Sequence, residues 1–177
     1  MTASALPDPF HDGALALVPL AETHREGLRA ACSTDDTIWA IYPVSMRGAH
    51  FDPAFDAMLA AANRAPFAIL VDDAVVGTTS YWIDTPNDVV EIGGTFLVPA
   101  QRGTGLNGRI KRLMIDRAFA LGMRRVEFRI DTRNLRSIAA VEKLGATREG
   151  VLRRNRVTWT GHPRDTAIYS LLSGEWA

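Results

Sequence analysis

The chain has 177 residues, of which 47% are hydrophobic and 23% charged, with a formal net charge of zero. This composition is typical of one globular domain, here residues 1–177, that is large enough to bury a core. No apolar run reaches the roughly 20 residues of a membrane-spanning helix, and the N-terminus lacks a signal-peptide pattern, so we expect a cytoplasmic protein without membrane partner. The single cysteine and the four histidines show no ligand spacing, so we expect neither a disulfide nor a metal site.

In the first hundred residues, apolar periodicity predicts four strands and two helices. In chain order they are a strand at 14–20, helices at 21–33 and 53–64, and strands at 67–71, 74–83 and 89–98. The first helix is expected to begin near Thr23, and the second begins with proline, which suits a first helical turn. The mixed segment 34–48 suggests a loop or a short helix. Short turns separate the last three strands, which predicts an antiparallel meander.

After residue 100 the same criteria predict two helices and three strands. They are a helix from Leu106 to Gly122, a strand at 125–130, a helix led by Asn134 and ended by Gly145, and strands at 149–159 and 165–172. Asn134 stands where a helix N-cap would stand. The full order is β-α-α-β-β-β-α-β-α-β-β, which predicts a mixed α/β (α+β) fold with helices covering a central sheet.

The net charge of zero conceals a division of charge along the chain. Residues 1–100 carry four basic and thirteen acidic side chains, whereas residues 101–177 carry sixteen basic and seven acidic ones. Such asymmetry often marks a polyanionic partner, so a nucleic-acid-binding domain is one interpretation. The basic residues are spread over alternating positions without an interleaved aromatic platform, so we expect no nucleic-acid partner.

The charge changes sign at a glycine turn with the chemistry of an anion site. Gly103 and Gly105 leave backbone N–H groups unshielded, and a helix that begins beside Leu106 adds unpaired N–H groups and a positive dipole end. Arg102 and Arg109 bring formal charge nearby. The spacing matches neither the phosphate loop, which needs a following lysine, nor the dinucleotide fingerprint, which needs a third glycine. Taken alone, the turn is either an anion-binding site or a purely structural connection between a strand and a helix.

The surroundings of this turn resemble the GCN5-related N-acetyltransferase (GNAT) family, whose pyrophosphate loop has the pattern Arg/Gln-x-x-Gly-x-Gly/Ala. The run RGTGL at 102–106 follows a strand and a proline, and NLRSIAAVEKLGATREG at 134–150 is similar to the family's next helix. RDTAIYSLLSGEW at 164–176 looks like the ribosomal-protein N-terminal acetyltransferase branch. The resemblance extends from Leu15 to Trp176. It implies a mostly antiparallel sheet, splayed between its fourth and fifth strands, and an enzyme that transfers acetyl groups from acetyl-coenzyme A.

The same resemblance implies a set of cofactor-binding residues. Backbone groups of Phe96, Leu97 and Val98 would pair with the pantetheine amides. Asn134 would contact the pantetheine arm, serve as a helix cap, or do both. The pyrophosphate would lie on the N–H groups of Arg102, Gly103, Thr104, Gly105, Leu106 and Asn107.

Two residues near the loop are not explained by the family pattern. Asn107 stands where the family usually has Gly or Ala, and Lys111 follows one helical turn later on the same face. This pair could reach the cofactor or the acceptor site, or it could make a local surface contact.

Acetyl transfer needs a base for the attacking amine and a proton for the leaving thiol. Glu91 is the candidate base, on the strand that leads to the loop, although a solvated glutamate is the alternative. Strict alternation would put Glu91 on one face of that strand with Gly93, Thr95 and Leu97. A backbone N–H near Val98 could hold the oxyanion.

The candidate acid comes from the resemblance. Many family members carry a tyrosine in the helix led by Asn134, but this chain has Val141 there. Ser137 takes the place of the serine that serves this role in the ribosomal-protein branch. Its hydroxyl could instead bond within its own first helical turn.

The resemblance implies a primary amine as the acceptor, either a protein N-terminal α-amine or a small-molecule amine. Four aromatic residues could line its pocket or belong to the core, and acidic residues of the first half would favour a cationic acceptor. These aromatics are Trp39, Tyr42, Trp82 and Trp159. A coenzyme-A-binding sensor without turnover is the second hypothesis, and a homodimer is possible.

Overall fold

The computed structural model describes residues 5–176 and confirms the predicted α/β fold. One eight-stranded sheet has the strand order β1-β2-β3-β4-β5-β6-β8-β7. The strands are β1 (Phe10–Asp12), β2 (Leu15–Pro19), β3 (Arg64–Val71), β4 (Ala74–Asp84), β5 (Val89–Leu97), β6 (Arg125–Asp131), β7 (Thr147–Val157) and β8 (Pro163–Leu172). The helices are α1 (Arg25–Cys32), α2 (Phe51–Ala60), α3 (Leu106–Ala120) and α4 (Leu135–Glu142).

The structure corrects the sequence-based prediction by adding one strand and moving the ends of two helices. A short strand, β1, precedes the predicted first strand and pairs with it as a hairpin. A 3-10 turn at Glu22–His24 occupies the predicted start of the first helix, so α1 begins at Arg25. The second helix begins at Phe51, not at Pro53, and ends at Ala60 because Ala61 is extended; β3 already begins at Arg64.

Two hydrophobic clusters hold the helices against opposite faces of the sheet. On one face, α3 contributes Ile110 and Met114 to a cluster that also contains Tyr81 of β4. On the other face, helices α1 and α2 contribute Leu28 and Phe55. Both faces of the central strands are therefore buried.

One interruption of the sheet lies between β5 and β6, the only parallel pair among the described strands. Pairing covers three positions and ends at Glu91 opposite Glu127. Both strands continue beyond this point, β5 to Leu97 and β6 to Asp131, without pairing to each other. These are the fourth and fifth strands of the predicted order, so the predicted splay is confirmed.

Candidate active site

The gap between β5 and β6 leads from Glu91 to the glycine loop that precedes α3. Along this gap the edge of β5 has no strand partner, which leaves backbone N–H groups for an extended ligand. The carbonyls of Thr95 and Leu97 instead accept from side chains of Tyr42 and Arg102. Val98 N–H donates to Val76 O at 2.9 Å and therefore faces β4. Successive residues of a strand alternate in direction, so the backbone of Leu97 faces the gap.

This geometry distinguishes among the backbone groups predicted to bind pantetheine. A Cβ placed on Gly77 of β4 would lie 2.0 Å from the carbonyl oxygen of Phe96, so that carbonyl also faces β4. Leu97 is left as the residue whose backbone can pair with an amide in the gap. The hypothesis that an N–H near Val98 holds the oxyanion is wrong for Val98 itself, because that group is already bonded.

A cluster of free N–H groups lies at the loop end of the gap. Gly103 and Gly105 adopt φ values of +77° and +87°, and a Cβ on either would meet no atom within 4 Å. These conformations turn successive amides toward one side, as in an anion-binding nest. Within residues 5–176, no protein acceptor engages the backbone N–H groups of Gly103, Thr104, Gly105, Asn107 and Gly108. The N–H of Leu106 lies 3.4 Å from Thr104 Oγ1, and that of Arg102 donates to Pro99 O.

The two arginines expected to charge this site are both paired with aspartates. Arg102 forms a salt bridge with Asp35, and its Nε donates to Leu97 O at 2.8 Å. Arg109 Nη2 lies 2.7 Å from a carboxylate oxygen of Asp12. Their charges are largely offset, so the attraction for an anion comes from the helix N-terminus and the free amides.

Glu91 lies at the inner end of the gap, where the two strands separate. Its side chain is 19% exposed, faces Trp82 across the β4–β5 pair, and lies 3.5 Å from Arg129 Nε. Burial raises the pKa of the Glu91 carboxyl, and the charge of Glu127 adds to this, whereas Arg156 and Arg129 oppose it. A half-buried carboxylate with a raised pKa has the properties of a general base rather than of a solvated surface glutamate.

A β-bulge makes the predicted alternation along β5 wrong. Ser80 pairs with Gly93 and Thr78 pairs with Phe96, so two residues of β5 lie opposite one residue of β4. Gly94, at φ +58°, absorbs the extra residue. Glu91 and Gly93 consequently share the α1–α2 face, whereas Thr95 and Leu97 turn toward α3.

At the start of α4, Asn134 keeps both of its interpretations, whereas the alternative for Ser137, a hydroxyl bonded within its own helical turn, is wrong. Asn134 Oδ1 accepts from the Ser137 N–H at 3.2 Å, so Asn134 caps the helix. The Ser137 side chain is half-buried, and its hydroxyl forms no hydrogen bond within the described residues. Val141, in the position of the family's tyrosine, is 1% exposed and belongs to the core.

Lys111 is the functional candidate that sequence reasoning left unexplained. It is 5% exposed, its Nζ lies 3.5 Å from Thr95 Oγ1, and it lies 5.3 Å from the ring centroid of Phe128. Burial alone lowers the pKa of Lys111 to about 8. Asn107, one turn earlier, has a buried Oδ1 without a hydrogen-bond donor. The interpretation of this pair as a local surface contact is wrong, because Lys111 is buried.

A cavity of about 430 Å³ lies on the α1–α2 side of the sheet, between residues 33–50 and the β7–β8 turn. Trp39 and Trp159 both line it, and Trp159 Nε1 donates to Trp39 O at 2.9 Å. Trp39 also stacks on Phe96 of β5, with ring centroids 4.9 Å apart, so one wall of the cavity packs against β5. Asp36 lines the cavity but pairs with Arg47 at 2.7 Å, which offsets the acidity expected to favour a cationic acceptor.

The other two aromatics expected in this pocket lie elsewhere. Trp82 packs beside Gly93 and Gly94, with the Arg64 guanidinium 4.5 Å above its ring. Tyr42 lies against Trp39 and donates its hydroxyl to Thr95 O at 2.5 Å. Within residues 5–176, no group of three or more acidic, histidine or cysteine side chains could hold a metal ion, and no helix is long and apolar enough to cross a membrane.

The chain belongs to the GNAT acetyltransferases: residues 14–147 match the model of the acetyltransferase (GNAT) domain family. A curated relative, "Probable N-acetyltransferase YjcK" of Bacillus subtilis, is 36% identical over 104 residues, which are 58% of this chain and 57% of that protein. The match thus spans little more than half of the relative.

Solved structures agree with this family. A probable acetyltransferase of the GNAT family from Chromobacterium violaceum is 31% identical, with a TM-score of 0.86 over 95% of this chain and 87% of that one. Mycobacterium smegmatis RimJ, solved with CoA-disulfide, has a TM-score of 0.78 over 91% of this chain and 83% of that one. At 19% identity, RimJ shows a shared fold.

Proposed function

We propose that this GNAT acetyltransferase moves an acetyl group from acetyl-coenzyme A to a primary amine by direct attack within a ternary complex. The observation that carries the proposal is the gap between β5 and β6, which ends at five unengaged N–H groups. An extended chain that carries amides at one end and a pyrophosphate at the other matches these two features. That RimJ was solved with CoA-disulfide supports the same cofactor.

In this proposal the loop holds the pyrophosphate and β5 holds the pantetheine arm. The N–H groups of residues 103–108 bind the phosphate oxygens, and the backbone of Leu97 pairs with a pantetheine amide. The side chains of Arg102 and Arg109 position the loop through Asp35 and Asp12 instead of binding phosphate. Asn134 caps α4 beside the arm.

The amine acceptor approaches from the α1–α2 side, through the cavity beside Trp39. Glu91 lies on this face of β5 and accepts the proton of the attacking amine, directly or through a water molecule. The acceptor can be a protein N-terminal α-amine or a small-molecule amine. An α-amine, with a pKa near 8, needs less help from a base than a lysine amine near 10.4. For the thiol leaving group, Ser137 stays the prediction from resemblance.

The test is thiol release from acetyl-coenzyme A across a panel of α-amino peptides, polyamines and amino sugars. Turnover with at least one amine is expected, and Glu91→Gln should lower kcat by about 100-fold, a typical loss for general base catalysis. The control is Glu26→Gln, on the exposed side of α1, which should leave kcat unchanged. Tight binding of acetyl-coenzyme A without turnover of any amine would favour the sensor hypothesis instead.

A further inference from the structure

Lys111 is a buried cation in the floor of the gap between β5 and β6. Its ammonium contacts Thr95 of β5 at 3.5 Å and lies 5.3 Å from the ring centroid of Phe128 on β6. Both residues lie beyond the last paired positions, Glu91 and Glu127, where the strands have separated. The ammonium therefore lies beneath the opening itself rather than beneath intact sheet.

The surroundings of this ammonium do not neutralise it. Thr95 on β5 and Phe128 on β6 are uncharged, and the hydroxyl of Thr95 is shared with Thr79 of β4 at 2.8 Å. Within the described chain no carboxylate forms a salt bridge with Lys111, and burial is the sole cause of the lowered pKa of about 8. A buried ammonium without a counter-ion is costly to folding, so a role with an anionic or proton-accepting ligand would explain its presence.

Asn107 provides a second, independent indication of a ligand on this face. It lies one helical turn before Lys111, and its side-chain Oδ1 is buried without a donor. A buried amide oxygen without a partner destabilises the fold, and a ligand that supplies an N–H removes this cost. The pantetheine arm of coenzyme A carries such N–H groups. Asn107 and Lys111 thus present an acceptor and a cation along one line of α3.

We propose that the Lys111 ammonium donates the proton that the coenzyme A sulfur needs as it leaves. This proposal rests on the proposed acetyl transfer. The amine nitrogen bonds to the carbonyl carbon of the thioester, and the C–S bond breaks with its electron pair going to sulfur. Lys111 Nζ–H passes a proton to that sulfur, the surplus proton of the attacking nitrogen goes to Glu91, and the neutral Lys111 side chain regains a proton from solvent. The products are the acetylated amine and coenzyme A thiol.

The two faces of the sheet separate the two proton transfers. Tyr81 donates its hydroxyl to Met114 O of α3, so its neighbour Trp82 and the paired Glu91 point to the opposite face. Glu91 can therefore take the amine proton on the α1–α2 side while Lys111 supplies the thiol proton on the α3 side. An ammonium whose pKa lies near that of a thiol, about 8.5, is a better acid at neutral pH than the Ser137 hydroxyl.

The first test needs no acceptor: the thiol of bound coenzyme A is titrated through the ultraviolet absorbance of its thiolate. The Lys111 ammonium and the thiol titrate as a coupled pair, so thiolate should appear at lower pH on the wild type than in free coenzyme A, by about one pH unit or more. In Lys111→Met this shift should disappear while coenzyme A still binds. The chain has one other lysine, Lys143, which is exposed, so Lys143→Met is a matched control.

The second test is the pH profile of kcat. Because the acid has to be protonated, wild-type kcat should fall on the alkaline side, as the Lys111 ammonium in the ternary complex loses its proton. In Lys111→Met, kcat should fall by about 100-fold and this limb should vanish, whereas the control Lys143→Met should keep both. Equal thiolate titration in Lys111→Met and wild type, or loss of activity in Ser137→Ala alone, would overturn the assignment. Failure of the wild type to bind coenzyme A would instead overturn the proposed function on which it rests.

Discussion

Gly105→Asp is expected to weaken cofactor binding by roughly 100-fold while leaving a folded protein. Gly105 precedes α3 with φ +87°, and a Cβ there meets no atom within 4 Å, so a larger side chain causes no clash. The new carboxylate would project beside the free N–H groups of the loop. It would compete for those donors and repel the pyrophosphate.

The magnitude follows from two separable effects. A unit negative charge about 5 Å from a phosphate charge costs about 3 kcal/mol at an effective dielectric constant of about 20, a loss of roughly 100-fold in affinity. The left-handed backbone of a non-glycine residue costs about 1–2 kcal/mol, and this cost falls on folding stability. Gly105→Ala carries only the second effect, which makes it the matched control.

The assay is calorimetric titration of each variant with coenzyme A, together with urea unfolding. Both variants should lose about 1–2 kcal/mol of unfolding free energy, but Gly105→Asp alone should lose the affinity. Equal affinity in the Asp variant and the wild type would refute the placement of the pyrophosphate on this loop. A parallel loss in the Ala variant would show that backbone strain, and not charge, controls binding.

Three further predictions concern the residues around the gap. Asp35→Asn should cost about 2 kcal/mol of unfolding free energy, because it leaves the Arg102 guanidinium without its carboxylate. Burial acts to raise the pKa of Asp35, but the hydrogen bonds from Arg102 and from the backbone lower it more, so this pKa ends well below its usual range. Wild-type stability should therefore fall as the pH drops below about 4, and Asp35→Asn should lack this part of the loss. Asn134→Ala should cost about 1 kcal/mol in urea unfolding, and Asn134→Ser should restore it by keeping the cap. Burial raises the pKa of Cys32 to about 12, so a thiol reagent should modify it only at the rate of unfolding, and fast modification of native protein would contradict its burial.

The parts of the fold that local patterns determine could be predicted from the sequence. The helix after the glycine loop and the helix led by Asn134 follow from apolar spacing and capping residues, and the splay follows from the family resemblance. The bulge at Gly94 could not be predicted, because a Gly-Gly pair in a strand is compatible with either regular pairing or a bulge. The strand β1 was missed because three residues are too few for a periodic pattern.

The charge and burial of some site residues could not be predicted from the sequence, because they depend on contacts with distant parts of the chain. Arg102 pairs with Asp35, which lies 67 positions away, so its neutralisation has no local pattern. Lys111 could be placed on the face of Asn107, but its burial depends on how α3 packs under β5 and β6. Charge counting along the sequence therefore overestimates the formal charge at the loop.

Amide hydrogen exchange with and without acetyl-coenzyme A tests whether the gap between β5 and β6 holds the cofactor. Acetyl-coenzyme A should slow exchange at the free N–H groups of residues 103–108 and at the N–H of Leu97, because one extended cofactor would contact both. Exchange in the turn between β4 and β5, Thr85–Asn87, at the end of β5 away from the loop, should not change. Unchanged exchange at residues 103–108 under saturating acetyl-coenzyme A would contradict the assignment of this gap as the cofactor site.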